Sequence, residues 1–399
     1  MRIFIDGRTI KQNPSGVGIW NLRLVRELLA KDIDRIYLLT QKNCDYPFTT
    51  DPNFKNFITS KLTIIEASHP DRFVSLKRFL YEQLFLIGII QRINPDVAHF
   101  TDSFGIPLLL GNKIKTVLTV HDLIPLTPYK EYLNQFQLLL YKLSAQISVR
   151  RADRIVAISD KTKEDLVTLL NVSDKNIGII YDGVDELMGF GKKELDSVWK
   201  RLSYEYGLVN NKYIFYLGGF GKRRNVPTLI DVFYKALREK IIPSSYKLVL
   251  SGRISNAKKE SLENITKMKH MVRKLRLEHS VLFMDYVSDL EKTALIKHCL
   301  FFFSLSFYEG FGLGPLEGLV QHKATIFTRV GIWQSYRKEN TFIVEDPLSH
   351  VEILGRIQQV LRINLKESTD FEDLLQFIKQ FSWKRMANEY FDLYRSQQE

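Results

Sequence analysis

The chain has 399 residues, more than one ordinary domain, with 45% hydrophobic and 26% charged residues, a balance that excludes a disordered or fibrous protein. Its two cysteines, Cys44 and Cys299, give neither a disulfide framework nor metal-ligand spacing and fit a reducing cytosol. A formal net charge of +12 favours anionic partners, but the cations are spread along the chain without a nucleic-acid module, so no nucleic-acid partner is expected.

Met1-Arg2-Ile3-Phe4-Ile5-Asp6 reads as a first strand, because a charge interrupts the apolar run too early for a signal peptide. Pro14-Ser15-Gly16-Val17-Gly18 then opens an amphipathic helix over 19–31, and Asp32-Ile33-Asp34 is a solvated turn preceding a strand. Strands follow at 36–40, 63–66, 96–100, 115–120, 154–158 and 176–180, with a helix at 160–170. The most apolar window, 80–90, falls short of the about 20 residues needed to cross a bilayer. It reads as a buried helix, and its basic lead-in (Arg72, Lys77, Arg78) as a place for peripheral contact with an anionic membrane at the inner face of the cell.

From 182 to 211 no apolar strand occurs, and the domain boundary is placed there. The pattern then restarts with strands at 213–217, 247–251, 281–284, 300–304, 324–328 and 341–344, and helices at 227–240, 260–275, 289–298 and 314–321. Strands alternating with helices predict parallel sheets covered on both faces. The expectation is two doubly wound, Rossmann-like α/β domains, 1–190 and 191–380, facing a central cleft. A closing helix within 381–399, N-capped by Ser382, reaches across it.

Three Gly-rich loops follow strands. Gly16 and Gly18 allow close backbone approach of an anion at a helix start, but Asn21 stands where a dinucleotide fingerprint needs a third glycine. Gly218-Gly219-Phe220-Gly221-Lys222-Arg223-Arg224 places three consecutive cations where they can neutralise a pyrophosphate without a metal. In Glu309-Gly310-Phe311-Gly312-Leu313-Gly314-Pro315-Leu316-Glu317 a loop carboxylate can accept sugar hydroxyls, and one on the helix can hold a ribose diol. Each Glu could instead only cap or compensate a helix dipole.

Together with His121-Asp122-Leu123-Ile124-Pro125, Ala152-Asp153-Arg154-Ile155-Val156 and Asp182-Gly183-Val184-Asp185, these loops resemble the retaining glycosyltransferases of family four, which have the GT-B fold. The resemblance covers nearly the whole chain in order. It implies that His121 contacts the donor sugar and that Arg223 and Arg224 bind its diphosphate, while Glu309 holds the sugar hydroxyls. Gly16, Gly18, Gly218 and Gly219 would approach the phosphates. The N–H groups of Phe311, Gly312 and Leu313 would lie near sugar and phosphate, Glu317 would take the ribose, and Tyr286 and Val287 would lie near the base. Three departures stand out: Arg224 for the usual Lys, Asp285 for a common Gly, and Val330-Gly331-Ile332-Trp333 without the familiar Pro-Glu signature.

The expected activity is metal-independent transfer from a nucleoside-diphosphate sugar, GDP-mannose first, to a hydroxyl of a glycan, a polyprenyl-linked or a protein acceptor. No cofactor is expected beyond this co-substrate. The resemblance implies a front-face displacement with the leaving phosphate as base. Two rivals are a non-catalytic GT-B partner subunit and a Rossmann oxidoreductase or epimerase. The second lacks both the third glycine and a Tyr-x3-Lys pair beside a cofactor loop.

Overall fold

The computed structural model describes residues 1–10, 16–42, 60–68, 75–130, 133–184, 190–255, 257 and 259–397. Pro14, Ser15, Cys44, Arg72 and Asp185 lie outside them. Contacts divide the chain into two compact units, Met1–Gly183 with Phe381–Glu399, and Val184–Gln380.

The first unit runs β1 (Arg2–Asp6), α1 (Val17–Leu29), β2 (Arg35–Gln41), β3 (Leu62–Ala67), α2 (Leu76–Leu80), a π-helical turn (Tyr81–Phe85) and α3 (Leu86–Ile93). It continues with β4 (Val97–Phe100), β5 (Lys115–Val120), α4 (Gln135–Arg151), β6 (Arg154–Ala157), α5 (Asp160–Leu170) and β7 (Ile177–Ile179). The second unit runs α6 (Lys192–Tyr206), β8 (Tyr213–Leu217), α7 (Val226–Arg238), β9 (Lys247–Ser251), α8 (Lys259–Lys274), β10 (Val281–Met284) and α9 (Asp289–His298). It ends with β11 (Phe301–Ser304), α10 (Leu313–Leu319), β12 (Thr325–Thr328), β13 (Ile343–Val344), α11 (His350–Arg362) and α12 (Thr369–Ile378). Last comes α13 (Trp383–Arg395), which belongs to the first unit.

Each unit is built on one parallel sheet, in the orders β3-β2-β1-β4-β5-β6-β7 and β10-β9-β8-β11-β12-β13. Strand order reverses between β1 and β4 and again between β8 and β11. Such switch points leave a crevice at the carboxyl ends of the strands, where α/β proteins bind ligands. The doubly wound expectation therefore holds in both halves.

Between the units' strands, the described residues of 182–211 carry no strand, as the sequence suggests, but they do form α6. Its apolar contribution is only a few side chains, with Leu195 and Leu202 buried, so it leaves little periodic signal. A larger correction concerns the 80–90 window, which is not one buried helix. Leu86 N–H bonds to Tyr81 O, one residue further back than α-helical geometry, and this π-turn rotates the face presented by the segment. Leu86 and Ile90 are buried, whereas Leu80, Leu84 and Phe85 are exposed. Arg78 also differs from expectation: it is buried, with Nε 2.7 Å from Glu82 and Nη2 2.7 Å from Asp102. Glu82 in turn meets Arg8, which forks onto Asp6 at 2.6 Å and 2.5 Å.

Helix α13 is N-capped by Ser382, as expected. Its Met386, Ala387, Tyr390 and Tyr394 join one core cluster with Trp20, Leu24 and Leu28 of α1. The same helix reaches polar groups under the sheet. The Tyr394 hydroxyl lies 2.6 Å from His99 Nδ1, and His99 Nε2 lies 2.7 Å from Thr119 Oγ1, which is 2.7 Å from the Tyr390 hydroxyl. Burial lowers the His99 pKa to about 3, so the ring is neutral and needs both partners. Tyr394→Phe should therefore destabilise the protein by about 1–3 kcal/mol, the cost of stranding a buried ring nitrogen. Denaturant unfolding checks this, and an unchanged midpoint would show that His99 does not depend on the hydroxyl.

Candidate functional site

In the second unit the loops after β8 and β11, the two strands flanking the switch point, are tied together. Phe307 N–H donates to Arg223 O at 2.8 Å. Arg223 and Arg224 sit in a 3₁₀ turn over Lys222–Arg224, ended by Asn225 in the left-handed region at φ 53°. Asn225 is held by its own side chain, which donates to Pro347 O at 2.9 Å and accepts from Thr228 at 2.7 Å.

The two guanidiniums converge on one buried carboxylate. Arg223 Nη1 is 2.7 Å from Glu309 Oε2 and 3.1 Å from Tyr308 O, and Arg224 Nη1 pairs with Glu309 Oε1. Ser306 Oγ donates to the same Oε1 at 2.8 Å. Two cations against one anion leave a formal surplus of one positive charge, and both arginine side chains retain about a fifth of their exposure. The cluster is thus a fixed carboxylate with a cationic flank open to a second anion.

Absent side chains shape the same loops. A Cβ on Gly252 would lie 1.9 Å from Gly218 O, so the ends of β8 and β9 approach as backbone on backbone. Tyr216 Oη then donates to Gly219 O at 2.6 Å. Gly331, at φ 64°, lets Ile332 N–H reach Phe311 O at 2.9 Å, and a Cβ there would collide with that oxygen at 2.1 Å. The buried Trp333 ring lies against Gly312, itself at φ 103°. The segment without the Pro-Glu signature therefore buttresses the loop bearing Phe311, Gly312 and Leu313.

Asp285, another departure, is also occupied. Its carboxylate accepts the N–H groups of Ile254, Ser255 and Tyr286 at 2.8, 3.1 and 2.7 Å. These bonds outweigh its partial burial and hold its pKa below the usual carboxylate value. Beside it Tyr286 is exposed, with the Arg253 guanidinium 5.8 Å from its ring centre, while the Val287 side chain sits in the core. Glu317 stands apart from Glu309: it pairs with Lys292 Nζ at 2.7 Å.

His121, Gly16 and Gly18 belong to the first unit. Gly16 adopts φ 52° and ψ −116°, a glycine conformation, and Gly18 is buried. Asn21, in place of the third glycine, is fully buried and donates to Thr9, Val17 and Thr101 at 2.9–3.1 Å, stitching α1 to the switch point between β1 and β4. The His121 ring is buried and hydrogen-bonded to the Thr101 backbone, with its pKa lowered to about 3 by desolvation. Its Nε2 has no partner among the described residues.

A tryptophan that sequence reasoning passed over organises this region. Trp20 meets His121 edge-on at 4.9 Å, and also contacts His99 and Tyr390. Its Nε1 donates to Asp182 at 2.7 Å. Nothing in the sequence marks Trp20; Asp182 was visible only as part of a landmark. Desolvation raises the Asp182 pKa to about 8, so the folded state holds a proton that the unfolded state releases near pH 4. The stability tied to that proton is complete below about pH 4 and is lost as pH rises toward 8, by up to about 1.4 kcal/mol per unit. Asp182→Asn keeps an oxygen for Trp20 and removes the titration. Its melting temperature relative to the parent should rise between pH 5.5 and 8; a constant difference would mean that Asp182 is not protonated in the fold.

Comparison with known proteins agrees with this architecture. Residues 14–186 match the model of Glycosyltransferase Family 4, and residues 205–373 match Glycosyl transferases group 1. The serotype-specific mannosyltransferase WbdA of Escherichia coli is 25% identical over 60% of this chain, but the match spans only 29% of WbdA. The O-antigen chain mannosyltransferase B of Escherichia coli is 24% identical over 99% of this chain and all of that protein. Among solved structures, Anabaena HepE in complex with UDP and glucose shares the fold with a TM-score of 0.72 at 15% identity, covering 99% of both chains. The chain belongs to the family-four glycosyltransferases of GT-B fold.

Proposed function

We propose that this protein transfers a sugar, mannose from GDP-mannose being the first donor to test, to a hydroxyl of a glycan or polyprenyl-linked acceptor, with retention of configuration and without a metal. The observation that carries the reading is the Arg223–Glu309–Arg224 cluster at the second switch point. The relatives' names support mannose as the transferred unit.

In this scheme the diphosphate enters beside Arg223 and Arg224, whose surplus charge stabilises the negative charge that grows on the leaving group. Glu309, already oriented by both guanidiniums and Ser306, accepts hydrogen bonds from the sugar hydroxyls. The anomeric C–O bond to phosphate breaks as the acceptor oxygen bonds to the same face, and the acceptor's proton passes to the departing phosphate oxygen. His121 of the first unit is the residue assigned to the donor sugar in this scheme, and its lowered pKa keeps its ring neutral. Glu317 takes the ribose diol in exchange for part of its pairing with Lys292. With the Asp285 carboxylate filled by backbone N–H groups, the base meets Tyr286 and the main chain at Val287.

A thermal-shift panel of GDP, UDP and dTDP, with and without EDTA, tests donor and metal together. A nucleotide at 100 times its Kd should add about 2.7 kcal/mol of stability. GDP is expected to give the largest shift regardless of EDTA, and Arg223→Ala should abolish it. A shift that EDTA removes would end the metal-free reading, and a larger UDP shift would replace the donor. In a transfer assay with GDP-mannose, Glu309→Gln should lower kcat by about 100-fold or more. Near-normal turnover would remove Glu309 from the active site.

A further inference from the structure

We propose that Lys292 is a positioning residue for the nucleoside of the donor, holding the Glu317 carboxylate in place for the ribose and cancelling its charge near the diphosphate. On the reading that Glu317 takes the ribose diol, on which this inference rests, the lysine is a second residue of that site. Lys292 Nζ lies 2.7 Å from Glu317 Oε1 and 2.9 Å from Asp289 Oδ1. Its side chain is only 15% exposed and that of Glu317 23%, so the pair is partly withdrawn from water.

The lysine stands where two parts of a nucleoside site are joined. It lies in the first turn of α9, which begins at Asp289 with Ser288 as its N-cap, right after Tyr286 and Val287, the residues assigned to the base. From there it reaches α10, the helix that follows the Glu309 loop. Both helices are fixed without its help. Ser288 and Glu291 close a capping box on α9, and Val287, Leu295 and Ile296 share one core cluster. On α10, a Cβ on Gly318 would fall 2.4 Å from Thr325 Oγ1 and 3.1 Å from Phe302 Cβ, so the turn next to Glu317 lies tight on β11 and β12. What remains adjustable is the long Glu317 side chain, and Lys292 restricts its rotamers before the ligand arrives.

Charge gives the pairing a purpose beyond joining two helices. Burial alone would lower the Lys292 pKa, but the Glu317 and Asp289 carboxylates outweigh it and hold the pKa above the ordinary lysine value. The ammonium therefore stays charged at neutral pH. A bare Glu317 would meet an incoming nucleoside diphosphate as a like charge in a partly dry site. Paired with Lys292 it presents no net charge, and a carboxylate keeps lone pairs beyond the one a lysine takes, so it can still accept from a hydroxyl. A tie serving only to hold α9 to α10 would be indifferent to the ribose, which separates the two roles by experiment.

Calorimetric titration of the full chain with GDP and UDP, each beside its 2′,3′-dideoxy form, tests the proposal. The parent should bind the better nucleotide about 10-fold or more tightly than its dideoxy form, the worth of hydrogen bonds to a charged group. Lys292→Met keeps the length of the side chain and removes its charge. It should weaken that nucleotide about 10-fold and narrow the ratio to about 2-fold, while Lys292→Arg restores most of it. In the GDP-mannose transfer assay the methionine variant should raise KM for the donor and leave kcat nearly unchanged. Because the ratio is taken within one variant, a lowered melting temperature does not obscure it. A Lys292→Met protein that keeps the parent's ratio would overturn the role of the lysine and leave Glu317 at the ribose. A parent that binds the dideoxy form equally well would remove Glu317 from the ribose and Lys292 with it. Failure of the parent to bind either nucleotide would overturn the donor site as a whole.

Discussion

A cationic anion site on a folded protein has to be stable before its ligand arrives, and the second unit depends on how this is managed. Two guanidiniums held close together at a strand end would repel each other. Glu309 stands between them, and Ser306 fixes one of its oxygens. The carboxylate is buried, so it survives only because the arginines are there, and the arginines stay converged only because it is there. This mutual dependence aligns the two loops that flank the switch point, with the Phe307–Arg223 backbone bond as their seam. A residue suited to holding sugar hydroxyls is thereby preassembled by the groups suited to holding the phosphates.

The first unit solves a different problem at its own switch point. Around Trp20 the titratable groups are buried and neutral: His99 and His121 with lowered pKa values, and Asp182 with a raised one. Such groups are tolerated under a sheet only when each polar atom is paired, and Trp20, Thr119, Tyr390 and Tyr394 provide most of that pairing. Nε2 of His121 is a buried ring atom of this cluster without a partner among the described residues, and such gaps in a largely satisfied network are where function is sought. Because two of the four partners come from α13, the last helix of the chain helps to hold His121 in place through Trp20.

Most of the fold was legible because parallel strands buried on both faces announce themselves as short apolar runs. All thirteen described strands lie within a residue or two of the runs read from sequence. Helix α6 was missed because Leu195 and Leu202 are too few to make a pattern. At the site, Arg223, Arg224 and Glu309 were legible as charges beside glycines. Their supports were not. Gly252 and Gly331 matter for what their missing side chains avoid, and Trp20 and Trp333 for contacts made across long stretches of chain. No local pattern encodes such meetings, since the partners are joined only once both strand ends are in place.

The 80–90 segment shows where hydrophobicity as a signal reaches its limit. An apolar run reports that side chains avoid water, and burial in the core is one of several ways to do so. The Arg78–Glu82 pair draws Glu82 inward next to Arg8, and Arg78 also reaches Asp102. Beside these ions the π-turn shifts the helical register by one residue, and Leu84 and Phe85 face the surface. Their exposure is therefore built into the helix, held by buried charges that would each be costly to strand.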